Sequence, residues 1–414
     1  MSSPTTPLVD RFAEHFGNTG NPLLSVTVPA RSEIAGNHTD HEDVIGGALD
    51  ARIEAVCALN GTGTARIESV GYGGFEIDLA DLAAQASEQE TTASLARGMA
   101  SELAATGRTP QGFDLIMQSS IPSGSGLSSS AAVELAFGRA MEALWEGAAV
   151  DAVTLAKMAQ RTENNYFGKP CGLLDQLAEA LGGLAHMSFA DPETPATEKL
   201  AFDFEDKGYA LVLVNVGSDH SALTGEYAAV PAEMKQIAAV FGKERLCEVD
   251  PAAFDSEVVR LRRELGDRPV LRALHYWREN DLVLKRWDAL QAGDIDAFLE
   301  LTRESGASSA MFLQNVSVGG APEQSAMVAL GLATMGMGVA STAPAASTAA
   351  ASAAASRLSF PSSALTPSLP AWIAGSARAL PVITASCLKE LHTHGCKQCS
   401  GRCRRTDCRT GLLA

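Results

Sequence analysis

"IPSGSGLSSSAAVEL", residues 121 to 135, follows a strand-like run, "GFDLIMQSSI", and opens a segment, "SSSAAVELAFGRAMEALWEG", that is apolar at helical spacing. Strand, turn and helix therefore meet between Pro122 and Ser130. Gly124 and Gly126 remove the Cβ atoms that would keep a bound anion from the main chain. With Ser125, Leu127, Ser128, Ser129 and Ser130 they lead into a helix whose first N–H groups and dipole favour negative charge. Such a turn can cradle phosphate. It lacks the Gly-Lys-Ser/Thr ending of a P-loop and the third glycine of a dinucleotide fingerprint, so neither of those folds is supported. The plain alternative is a helix cap with flexible glycines.

Upstream, "PLLSVTVPARSEIAG" alternates like a strand and runs into "NHTDHED", which puts Asn37, His38, Thr39 and Asp40 close behind Arg31. A sugar hydroxyl both donates and accepts, so a carboxylate beside an imidazole and an amide can fix adjacent hydroxyls; a solvated polar turn is the other reading. Further strand-like runs, "GALDARIEAVCAL" and "TARIESVGYGGFEIDL", precede a helix-like "TTASLARGMASELAATG". Downstream, Asp175 lies between Leu174 and Leu177 in "CGLLDQLAEALGG", an expensive place for a carboxylate without a partner. It either serves a function or merely caps a helix or faces water. "GSDHSALTGEYAAVP" offers Tyr227 to a sugar face or to a domain seam. After the strand-like "YALVLVNVG" the pattern is helical as far as "DAFLELTRESG".

At 414 residues the chain is long enough for two cores of ordinary size. A net charge of −17 argues against nucleic-acid or anionic-membrane partners and favours a small soluble ligand. The start, "MSSPTTPLVDRFAEHF", has no apolar stretch behind basic residues, so a cytoplasmic protein is expected.

In their order, these segments resemble the GHMP small-molecule kinases, and among them the galactokinases. "ARSEIAGNHTD" is similar to the family's first motif, with Ala30 where glycine is usual and Asn37 where glutamate is commoner. Pro122 to Ala131 matches the second motif in full, and "PCGLLDQ", "LTGEYAAVPAEM" and "MFLQNV" look like galactokinase segments. The resemblance spans residues 8 to about 330 and implies an α/β (α+β), two-domain GHMP kinase fold. An N-terminal domain with a mixed sheet and helices would cover 1–195, and a C-terminal ferredoxin-like α+β domain 196–330. It further implies ATP and Mg2+ as cofactors and galactose as the small-molecule substrate; the oligomeric state stays open, with a monomer the expectation. By the same resemblance Asp175 would be the general base and Arg31 its partner, holding the base ionised and stabilising the transferring phosphoryl group. Ser130 and Glu163 would be magnesium ligands. Asn37, His38, Asp40, Gly172 and Tyr227 would be sugar contacts, and Pro122 to Ser130 the nucleotide turn. A non-catalytic galactose and ATP sensor, or a GHMP kinase for another sugar, are the rival readings.

The end of the chain departs from this pattern. Residues 1 to 330 hold 47 acidic and 24 basic residues, residues 331 to 414 only 2 and 8. Five of the eight cysteines, Cys387, Cys396, Cys399, Cys403 and Cys408, crowd the last 28 residues, and 14 of residues 341 to 360 are Ala or Ser. The family's third motif, of the type His-Gly-Gly-Gly-Phe-Gly-Gly, is missing. Written in GC-rich codons, CAC GGC GGC GGC TTC GGC GGC, and read one base late, that motif becomes Thr-Ala-Ala-Ala-Ser-Ala-Ala, which is the run from Thr348 to Ala354. A shifted frame explains the charge break, the Ala/Ser run and the cysteines together. It implies an incomplete second domain and a poorly ordered tail at 331–414. The alternative is a genuine Ala/Ser linker with a small zinc module built on those cysteines.

Overall fold

The computed structural model describes residues 7–18, 20–38, 42–122, 126–215, 224–316, 324–328, 331 and 355–361. A short amphipathic helix, α1 (Leu8–Phe16), precedes two long strands, β1 (Leu24–Ala35) and β2 (Asp43–Leu59), and the hairpin of β3 (Thr64–Ser69) and β4 (Gly73–Asp78). There follow α2 (Thr92–Ala104), β5 (Phe113–Ser119), α3 (Ser129–Leu144), α4 (Ala152–Thr162) and α5 (Leu174–Leu181). β6 (Leu184–Ser188) and β7 (Ala196–Leu200) complete a seven-stranded sheet of order β4-β3-β5-β2-β6-β7, with β1 paired to β2. β3 and β5 run parallel and the other pairs antiparallel. β7 carries this sheet just past residue 195, the limit expected for the first domain.

β2 is long enough to be shared: Asp43 to Gly47 pair with β6, and Ile53 to Leu59 pair with β5. Its side chains alternate between two covered faces, as a period of two requires. Ile53, Ala55 and Cys57 join the core under α2, α3 and α4, whereas Val56 and Ala58 pack on Phe12 of α1. The β1–β2 register shifts between Pro29 and Arg31, where Pro29 can sit because an irregular pairing needs no donor there. Arg31 resumes the ladder opposite Ala48, while its neighbour Ala30 is fully buried in the sheet core.

The second half begins with β8 (Tyr209–Asn215) and continues as α6 (Thr224–Val240), α7 (Pro251–Leu265), α8 (Asp267–Gln291) and α9 (Ile295–Ser308). Asp250, Pro251 and Asp294 open α7 and α9 as sequence rules expect, the two aspartates accepting from Ala252 and Ala297 amides. α6, α7 and α8 enclose their own core around Ile237, Phe254, Leu261 and Tyr276. The two halves are joined by a further cluster in which Ala35, Ile45 and Leu184 of the sheet meet Val283, Trp287, Leu290 and Phe298 of α8 and α9.

Part of the tail is ordered, against expectation: β9 (Ala355–Pro361) pairs antiparallel with β8 along its whole length, from Tyr209 opposite Pro361 to Asn215 opposite Ala355. The Thr348 to Ala354 run and the five tail cysteines lie outside the described residues. So do Thr39 and Asp40, and Ser123, Gly124 and Ser125.

Candidate functional site

Arg31, 144 residues from Asp175 in sequence, is brought against it by the irregular β1–β2 pairing on one side and the first turn of α5 on the other. Its Nε donates to Asp175 Oδ1 at 2.8 Å, and Nη2 lies 2.7 Å from the same oxygen. Nη1 donates to the Gly126 carbonyl at 2.9 Å, so one guanidinium fork ties β1, the end of the glycine turn and α5 together. The Arg31 side chain is 8% exposed and that of Asp175 34%. Asp175 is thus not sealed in the apolar setting its neighbours suggest; Leu174 and Leu177 are buried, while the carboxylate reaches the surface. Burial works against the Arg31 charge, yet Asp175, Glu179 and Glu33 hold its pKa above the ordinary value.

Ser128 completes this group. Its backbone is left-handed, φ 54° and ψ 53°, an uncommon conformation for a residue with a side chain. Its hydroxyl donates to Asp175 Oδ2 and accepts from Arg31 Nη2, and makes no capping bond to α3. The opening amides of α3 are therefore left to other acceptors, beside Ser129, which is exposed. Gly126, at φ 70°, makes the turn into Leu127, which is buried.

A second carboxylate lies next to the first pair. α4 runs into a π-helical turn, Glu163–Phe167, and Glu163 at its start is buried. Ser130 Oγ donates to Glu163 Oε1 at 3.0 Å, and Gln176 Nε2 donates to Oε2 at 2.8 Å. Gln176 also reaches Glu134 Oε2 at 3.3 Å. Burial, followed by the charge of Glu163, pushes the Glu134 carboxyl up to about 9, and burial raises Glu179 well above its usual range. Glu134 is thereby held neutral at physiological pH. A hydroxyl and a carboxylate oxygen 3.0 Å apart suit a magnesium ion that takes its remaining oxygens from phosphate and water, so Ser130 and Glu163 fit that ion. Among the described residues no group of three or more His, Cys, Asp or Glu forms a metal cluster.

The residues expected to contact a sugar sit apart from this group in sequence, the first of them, Asn37 and His38, just after β1. Asn37 is 3% exposed and its Nδ2 donates to Ser309 Oγ at 2.7 Å, so the side chain is turned toward the end of α9. His38 follows at φ 53° and is partly exposed. Gly172 is exposed just before α5, and Tyr227 lies on α6, with its side chain outside the described part of the protein. Pro122 is half-buried at the exit of β5. Among the described residues, no helix is long and apolar enough to cross a membrane.

The roles of Ser128 toward Asp175, and of Gln176, Glu134 and Glu179, escaped the sequence reading. One signal was available: Ser130 and Glu134, and Asp175 and Glu179, stand four apart, so each pair shares a helix face within otherwise apolar runs.

Residues 94–183 match the model of the GHMP kinases N terminal domain. The chain is 32% identical over 303 residues to a galactokinase of Streptomyces coelicolor, covering 72% of this chain and 76% of that protein. It is 30% identical over 307 residues to a galactokinase of Glaesserella parasuis, covering 71% and 76%. The fold is shared with the crystal structure of Lactococcus lactis galactokinase complexed with galactose, at TM-score 0.72 and 24% identity over 87% of this chain and 91% of that one. With this identity over three quarters of two curated relatives, the chain belongs to the galactokinase family of the GHMP kinases and is a kinase-type phosphotransferase.

Proposed function

We propose that the protein transfers the γ-phosphoryl group of ATP to the anomeric hydroxyl of galactose, giving galactose 1-phosphate and ADP. The observation that carries this reading is the Arg31–Asp175–Ser128 group at the mouth of the glycine turn. A partly exposed carboxylate, oriented on both oxygens and facing the start of a helix, is placed to take a proton from a hydroxyl held in front of a phosphate. In the step, the sugar oxygen gives its proton to Asp175 and forms a bond to the γ-phosphorus as the bond from that phosphorus to the β-phosphate oxygen breaks. Arg31 keeps Asp175 in place and offers positive charge to the transferring group. The α3 amides and the serine turn bind phosphate oxygens. Ser130 and Glu163 would hold magnesium, which when bound neutralises charge on the phosphates. His38, Asp40, Gly172 and Tyr227 are read as sugar contacts, with Asn37 in the same loop.

Galactose is favoured as the acceptor because the loop runs Asn37-His38-Thr39-Asp40, and because the Lactococcus galactokinase that shares the fold was solved with that sugar. ADP release measured across galactose, glucose, galactosamine, galacturonate, mevalonate and homoserine tests it: galactose should give the highest kcat/KM. A higher value with another acceptor, or galactose binding without ADP release, would contradict it. The same reading takes the 348–354 run as a displaced third motif. Sequencing the gene from independent isolates should reveal a one-base displacement upstream of it, and an intact present frame in all of them would contradict that.

A further inference from the structure

α8 holds both described ends of the loop that follows β1. Four of its residues, His275, Tyr276, Glu279 and Asn280, fall on one face by their spacing of one and four positions, and all four contact that loop. At the leading end, Glu279 Oε1 accepts from the Gly36 amide at 3.3 Å, and His275 Nε2 lies 2.7 Å from the Asn37 carbonyl oxygen. At the trailing end, Glu42 Oε2 accepts from the Tyr276 hydroxyl and, at 3.1 Å, from Asn280 Nδ2. His275 is wholly buried. A carbonyl can only accept, so Nε2 carries the imidazole hydrogen, and Nδ1 then accepts from Ser308 Oγ at 2.9 Å.

The backbone beside this contact is unusual. Gly36, at φ 109°, and His38, at φ 53°, are left-handed on either side of Asn37, and such a sequence of conformations persists only where the surroundings determine it. At Gly36 a Cβ would lie 2.4 Å from Val44 Cγ1 and 2.8 Å from the Asp43 carbonyl oxygen, so the two ends of the loop also press on each other. The middle of the turn is held by the buried Asn37 amide on Ser309, by the imidazole on the Asn37 carbonyl and by Asn315 Nδ2, which donates to Asn37 Oδ1 at 3.4 Å.

We propose that His275, a residue of the second half of the chain that touches no substrate, is a positioning residue for sugar binding: through the Asn37 carbonyl it sets the turn that presents His38. In this arrangement Asn37 serves as the anchor of the loop. The inference rests on the reading, proposed above, that this loop borders the sugar. Removing the imidazole leaves a buried carbonyl and a buried hydroxyl without their partner, so the turn loses its fixed conformation.

The test is calorimetric titration of the full chain with galactose and, separately, with MgATP. His275→Ala should weaken galactose binding by about tenfold or more and leave MgATP binding within about twofold. His275→Gln, whose amide can donate to the carbonyl and accept from Ser308, should stay within about threefold of the parent for galactose. Unchanged galactose affinity in a folded His275→Ala protein, or equal weakening of both ligands, would overturn the proposal. If that variant does not fold, Ser308→Ala keeps the imidazole but removes its hydroxyl partner: weakened galactose binding with unaltered MgATP binding supports the inference, and unaltered galactose binding overturns it. His38→Ala separates the two levels of the argument. Galactose binding untouched by both His38→Ala and His275→Ala overturns the sugar-loop reading together with the inference, whereas weakening by His38→Ala alone overturns only the inference.

Discussion

Glu134 stands one helical turn beyond Ser130, with its carboxyl raised to about 9 by burial and then by the charge of Glu163. An unfolded chain would ionise the same group near 4.5. Between these values the folded protein keeps a proton that the unfolded chain releases, so this group's contribution to stability is complete below the lower value and is lost as pH rises through the higher one. Glu134→Gln, which keeps the shape and cannot ionise, should flatten that loss. Melting temperatures taken from about pH 5 to about pH 9 should fall more steeply for the parent than for the variant; parallel slopes would contradict the assignment. At this scale Arg31, Asp175, Ser130 and Glu163 were legible because their motifs have a fixed order and spacing. The hydroxyl bond from Ser128 to Asp175 was not, because it depends on a left-handed backbone that no local pattern announces. Nor was the inward turn of Asn37, which depends on Ser309, 272 residues away.

Glycine allows α2 and α4 to approach each other closely. At Gly98 of α2 a Cβ would stand 2.5 Å from Thr162 Cγ2 and 2.9 Å from its Oγ1. Thr162 is the last residue of α4 and immediately precedes Glu163, so the α2–α4 contact sets where the π-helical turn starts. Gly98→Ala should overpack this contact and lower stability by about 1–3 kcal/mol, read as a reduced urea midpoint. A midpoint equal to the parent's would show that the contact yields without cost. The strands β1 to β5 and the helices α2, α3 and α4 were readable from alternation and helical spacing, since each buries one face against a neighbour. β6 and β7 were not read, because five-residue segments such as "LAHMS" and "ATEKL" carry too few periods to stand out from loop. The π-helical turn does not stand out in the sequence, since one extra residue in a turn leaves the apolar spacing almost unchanged.

Over the whole molecule the two halves are bound by apolar packing of α8 and α9 on the sheet, and at this seam Glu279 and Arg286 of α8 form an ion pair sealed from solvent. Glu279 also accepts from Ser305 of α9 at 2.9 Å and from the Gly36 amide, so the seam between the halves and the loop after β1 share one carboxylate. Two cores could be inferred from length alone, and the charge break at about residue 331 marked the tail. What composition hid is that residues 355–361 pair with β8, because an Ala/Ser-rich context masks a short strand whose partner is about 145 residues distant. The account as a whole depends on one proton acceptor joined to Arg31 across the fold, and the direct measurement is turnover and galactose affinity of Asp175→Asn in parallel. It predicts a kcat lower by about 10²- to 10⁴-fold with galactose still bound; galactose phosphorylated by the variant at the parent's rate would contradict it.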